Sequence, residues 1–167
     1  MAATTITLDF DTFGHFETLP AGYGGVAWSN FYTLNTDPGI YCQNSGYKNG
    51  TISAPNVVFN GGGGDGAISS IGGVPFKLSR GYFTAAWHEP LSLEIIGRRN
   101  GDVVYDTTFT LNTSLPSFLT LPGGLVDSVQ FRTSGGSPPG TLCGGGSHFD
   151  VEAERGIRVD ARVRPAP

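Results

Sequence analysis

Carboxylates, histidines and aromatic rings are the side chains of this 167-residue chain that can act on or hold a ligand. Cleaving a glycosidic bond needs two carboxyl groups at a fixed separation across a cleft. Glu89 with Glu94, and Asp102 with Asp106, are candidate pairs, but neither sits in a motif. Acyl transfer by a Ser-His-Asp arrangement needs an activated serine, and no G-x-S-x-G elbow occurs. His15, His88 and His148 are scattered along the chain rather than spaced as a metal triad. The expectation is therefore no catalysis, with a glycan-active hydrolase or lyase as the alternative.

Binding chemistry is better represented. A pyranose offers apolar C–H faces and hydroxyl edges, so aromatic rings beside planar polar groups suit it. Trp28, Tyr32, Tyr41, Tyr47, Tyr82 and Trp87 all lie near glycine-rich loops. Trp28, Tyr41, Tyr47 and Trp87, with Asn49 and His88, form the expected ligand-binding set, although Trp28 within "GVAWSNF" suits a core better than a ligand platform. Pro90 has no N–H to give a ladder, so the strand carrying Trp87 must stop at "WHEP". The step is first a corner.

Composition removes other classes. Charged residues make up 14% and the formal net charge is -4, a poor match to a phosphate backbone, so no nucleic acid is expected. No apolar run approaches the ~20 residues that span a bilayer. "MAATTITLDF" lacks a basic segment followed by an apolar core, so it does not read as a signal peptide. That leaves a cytosolic protein, or a mature domain with an added Met. Cys42 and Cys143 bear on the choice. They are either two buried thiols or a disulfide; the disulfide is preferred because both lie in polar or glycine-rich loops. Closing a loop of that length would stabilise by up to ~4–5 kcal/mol and implies an oxidising compartment.

The elements that position these groups read as strands. The chain has 26 glycines and 11 prolines, set between runs rich in Val, Ile, Phe, Tyr and Thr. "TITLDF" alternates Ile6, Leu8 and Phe10 with Thr7 and Asp9, the period of a half-buried strand. "LSLEIIGRR" and "DVVYDTTFTL" flank Asn100-Gly101, a hairpin signal that places Val104 roughly opposite Ile96. No segment sustains a helical period. From Asp150 to Arg164 charge crowds around Ile157, Val159, Ala161 and Val163, which suits a charged edge strand. One domain is expected over residues 1–164, with 165–167 a loose tail. Its fold class is all-β: an antiparallel β-sandwich, a jelly roll of the galactose-binding-like kind.

"GGVAWSNFYTLN", "NSGYKNGTISAPNVVFNGGG", "YFTAAWHEPLSLEIIGRRNGDVVYDTTFTLNTSLPSFLTL", "VDSVQFRTSGG" and "GGGSHF" occur in an order that resembles a family of extracellular β-sandwich modules. Those modules occur in secreted bacterial proteins, often ahead of a PEP-CTERM sorting signal, with relatives in fungi. The resemblance runs over roughly residues 6 to 152 and departs at "HFDVEAERG". It implies a jelly roll similar to carbohydrate-binding modules, export from the cell, and no established catalysis. It also implies a structural calcium where the first and last strands run side by side. Asp9 and Asp11, with Asp150 and Glu152, are the candidate ligands, since calcium takes 6–8 oxygens; the other readings are four solvated carboxylates on strand ends, or Arg155 or Arg158 in place of the metal. The expected function is an extracellular, non-catalytic module for a carbohydrate or other ligand. A structural matrix or self-assembling surface protein is the second expectation.

Overall fold

The computed structural model describes residues 4–37, 45–137, 149–152 and 158–161. Its strands are β1 (Thr4–Thr7), β2 (Val26–Ser29), β3 (Phe31–Asn35), β4 (Asn56–Asn60), β5 (Gly66–Ser70), β6 (Arg80–Ala85), β7 (Leu91–Arg99), β8 (Asp102–Leu111), β9 (Ser117–Thr120), β10 (Ser128–Ser134), β11 (Phe149–Glu152) and β12 (Arg158–Ala161). One short helix, α1 (Gly46–Gly50), joins β3 to β4. A first five-stranded sheet has the order β2-β5-β10-β7-β8, a second the order β3-β4-β11-β6-β9, and β1 pairs with β12. Every ladder is antiparallel.

This order is a jelly roll. From β4 to β11 the chain fills β4-β11-β6-β9 in one sheet and β5-β10-β7-β8 in the other, the interleaving of two Greek keys. β3 and β2 extend each sheet by one strand. The antiparallel sandwich expected from the alternation is the fold that forms.

Period-2 patterning builds the core. On β7, Leu91, Leu93 and Ile95 point inward at 0% exposure, while Ser92 and Glu94 between them are half-buried. Rings link the sheets: Trp28 packs edge-on to Phe31 at 5.6 Å, Phe31 to Phe131 at 5.6 Å, and Phe131 lies 6.4 Å from Phe83. Such pairs add stabilisation beyond the area they bury.

The Asn100-Gly101 turn forms as expected, with φ of 52° and 89°. Its register differs. Ile96 opposes Asp106, not Val104: the turn closes with Arg99 opposite Asp102, which moves the register by one residue, and a bulge between Gly97 and Arg98 moves it by one more. Gly97 opposes Tyr105, and a Cβ there would lie 2.3 Å from Cζ of that ring. The tyrosine lies over the bare glycine and takes the space a side chain would need.

Two expectations for the termini are corrected. β1 ends at Thr7, short of the expected strand, and the chain turns at Phe10 with φ of 58°, although the alternation itself holds, with Leu8 and Phe10 buried and Thr7 and Asp9 exposed. Asp150 and Glu152 do not belong to a charged edge strand. They lie in β11, inside the second sheet between β4 and β6, while the last described strand, β12, is the partner of β1.

Candidate functional site

The second sheet sets its outer face by register. Tyr82 of β6 opposes Phe118 of β9 and Glu152 of β11, and Asp150 opposes Phe59 of β4 and Thr84 of β6. Tyr32 of β3 opposes Phe59. Side chains on directly opposed residues share a face. Positions 150 and 152 therefore lie in cross-strand rows with Tyr32, Phe59, Thr84, Tyr82 and Phe118.

Half of this face is covered. α1 packs over it, on β6 and β11, with Ser45 capping the helix by accepting the N–H of Lys48. Gly46 donates its N–H to the carbonyl of Ala86 at 2.8 Å. A Cβ on Gly46 would fall 1.7 Å from the Ala85 carbonyl oxygen, so only glycine allows this approach. Tyr47 then sits edge-on between Phe59 at 5.5 Å and Trp87 at 5.4 Å. Leu34, Tyr47, Val57, Phe59, Ala86 and Trp87 form a second buried cluster.

The other half is open. Phe118 is 45% exposed and tilted against Tyr82 at 5.0 Å. The guanidinium of Arg80 lies 5.9 Å from the centroid of the Phe118 ring. Arg80 opposes Thr120, one pleat below the Tyr82–Phe118 pair. A ring, a phenol and a guanidinium are thus brought together on two adjacent strands.

The expected ligand-binding residues fall elsewhere. Tyr47 and Trp87 are each only 2% exposed, so their rings serve the core under α1 and offer no contact surface. Trp28 is half-buried, packs against Phe10 at 5.8 Å and donates Nε1–H to the Tyr23 carbonyl at 2.9 Å. Asn49 is exposed, but its amide donates to the Thr113 carbonyl at 2.8 Å. His88 is half-buried in the corner before the cis Glu89–Pro90 bond. Tyr41, and the expected disulfide cysteines Cys42 and Cys143, lie outside the described residues.

The carboxylates also separate. Glu89 accepts from both the N–H and the hydroxyl of Thr113, each at 2.7 Å. Those bonds hold its carboxyl below the ordinary glutamate value, against a smaller opposing effect of burial. Glu94 faces outward from the first sheet and pairs with Arg132 at 3.5 Å. For calcium, Asp9 and Asp11 follow β1, whereas Asp150 and Glu152 sit in β11, and no ladder joins those two strands. Among the described residues, no group of three or more His, Cys, Asp or Glu is placed to hold a metal ion.

Sequence reasoning did not place Phe118 in the site. Its signal was present: in "SFLTL", Leu119 and Leu121 supply the inward positions, which turns Phe118 outward.

No protein-family model and no curated protein matches the chain. Among solved structures, one match is TmCBM61 in complex with beta-1,4-galactotriose. The TM-score is 0.41 at 7% identity, over 90% of this chain and 100% of that one. The functional reading therefore rests on this chain's own residues.

Proposed function

We propose that the protein is an extracellular, non-catalytic carbohydrate-binding module, and that the open half of the second sheet's outer face takes the sugar. The observation that carries this reading is Phe118, a ring 45% exposed on a sheet face, beside Tyr82 and under Arg80. A pyranose ring stacks its C–H face on such a platform. The Tyr82 phenol and the Arg80 guanidinium are the polar groups to orient its hydroxyls. Glu89, one of the candidate catalytic acids, is instead engaged by Thr113, and Glu94 by Arg132, which favours binding over turnover. Among the described residues, no helix is long and apolar enough to cross a membrane.

A glycan array with the intact protein, followed by titration of the best neutral oligosaccharide, tests the reading. Phe118→Ala should weaken binding about tenfold, the loss of a ring contact of roughly 1.4 kcal/mol, with no change in melting temperature beyond about 2 °C. Absence of binding to every glycan, or full affinity in Phe118→Ala, would reject it.

A further inference from the structure

Across the second sheet from Phe118, a second aromatic ring is held out to solvent. Phe16 is 52% exposed and adopts φ of 59°, the left-handed region that a bulky residue rarely enters. An exposed loop position with that backbone is met at lower cost by Gly or Asn. The neighbouring structure enforces it. The N–H of Phe16 donates to the Thr33 carbonyl at 2.8 Å, the N–H of Thr33 to the Glu17 carbonyl at 2.8 Å, and the Thr33 hydroxyl to the Gly14 carbonyl at 2.7 Å. Strain of this kind persists where surrounding contacts over-determine it, and it concentrates at ligand sites.

The ring is fixed as well. Phe16 stands edge-on to Phe59 at 5.8 Å and to the His15 imidazole at 4.4 Å. His15 is itself oriented, its Nδ1 accepting the N–H of Asn35 at 3.2 Å, which leaves the ring proton of the neutral form on Nε2. Tyr32, half-buried on β3, packs on the same Phe59 at 5.8 Å. The result is a small platform of one presented ring, an oriented imidazole and a phenol.

Position separates it from the first platform. β9 and β3 are the two edges of the sheet, four strand intervals apart, or ~19 Å at the usual spacing. Between them α1 packs on β6 and β11 and raises Tyr47 against Phe59 and Trp87. A short sugar that touches Phe118 does not reach Phe16.

We infer that His15, Phe16 and Tyr32 form a second sugar subsite, so that each chain holds two separate stretches of a neutral glycan, one on either side of α1. The inference rests on the reading of the protein as a carbohydrate-binding module. Two weak sites on one rigid domain would give a long polysaccharide an avidity that neither platform has for a short oligosaccharide.

Amide NMR titration of the full chain with cellotetraose, and in parallel with xylotetraose and galactotetraose, tests it. Two groups of shifts are expected, one at residues 15–18 and 32–33, the other at residues 80–82 and 117–120. Phe16→Leu keeps apolar packing on Phe59 and removes the flat ring. It should weaken the first group about three- to tenfold and leave the second unchanged. Phe118→Ala should do the reverse. Shifts in the second group alone, or a first group indifferent to Phe16→Leu, would overturn the second subsite while sparing the first. No shifts in either group with any of the three sugars would remove both. A melting curve of Phe16→Leu within about 2 °C of the parent excludes unfolding as the cause.

Discussion

On the outer face of the first sheet, Arg132 reaches Asp65 at 3.4 Å and Glu94 at 3.5 Å, and Gln130 donates to Asp65 at 3.0 Å. Ser69, Asp106, Thr108 and Thr110 fill in around them, all exposed. The second sheet carries Tyr32, Leu34, Val57, Phe59, Tyr82 and Phe118 at the equivalent positions. Both faces arise from the same alternation about the same core. One is finished by exposed ion pairs; the other carries a buried cluster under α1 and leaves Tyr82 with Phe118 on one side, and Tyr32 with Phe16 on the other, partly open. A sandwich needs only its inner faces to be stable. Rings on an outer face, partly roofed and partly left open, are therefore the feature on which the proposed binding rests.

The contrast can be broken from the roofed side with the largest effect. Trp87→Ala removes the ring that Tyr47 meets edge-on and should cost about 3–5 kcal/mol, lowering the melting temperature by roughly 10 °C. A loss below about 1 kcal/mol would mean that the cluster under α1 is not a true core. The corner beside it gives a smaller, pH-dependent effect. Thr113 holds the Glu89 carboxyl below its ordinary value of 4.5, so this stabilisation is complete above that value. It is lost as pH falls through the lowered folded value, because the protonated acid is a weaker acceptor for the two bonds that Oε2 receives. Glu89→Gln should cost about 1 kcal/mol at pH 7 and less at pH 2.5, read from urea unfolding at the two pH values. An equal cost at both would assign the effect to packing. The smallest change is expected on the polar face. Arg132→Ala should cost less than about 1 kcal/mol and less still in 0.5 M salt, since its side chain is 46% exposed. A larger, salt-independent loss would show that this face too is built rather than merely solvated.

The same comparison explains what was legible beforehand. On the first sheet, alternation in "LSLEIIGRR" and the Asn100-Gly101 turn fixed strands, faces and hairpin, because one side meets water. Only the register slipped, by one residue at the turn and by one more at the Gly97/Arg98 bulge, which leaves no mark in a hydrophobic pattern. On the second sheet β4, "NVVFN", is buried at all five residues, so alternation has nothing to report. Its roof is a five-residue helix, shorter than two turns and invisible to a 3.6-residue period. Without α1, Tyr47 and Trp87 read as surface rings; with it they are interior. Phe16 lies in "GHFET", with no period on either side, and its exposure depends on a left-handed backbone that the sequence does not announce.

β11 has one further consequence. It is formed by residues 149–152, yet it lies between β4 and β6, whose residues leave the ribosome long before it. Until it arrives, β4 and β6 face each other across an empty lane, each with a row of backbone N–H and C=O groups unpaired. Those exposed edges invite pairing between nascent chains. The order of synthesis therefore makes the second sheet close late, with the β1–β12 pair following it among the described strands, and a chain halted before Phe149 is left with two open seams at its centre.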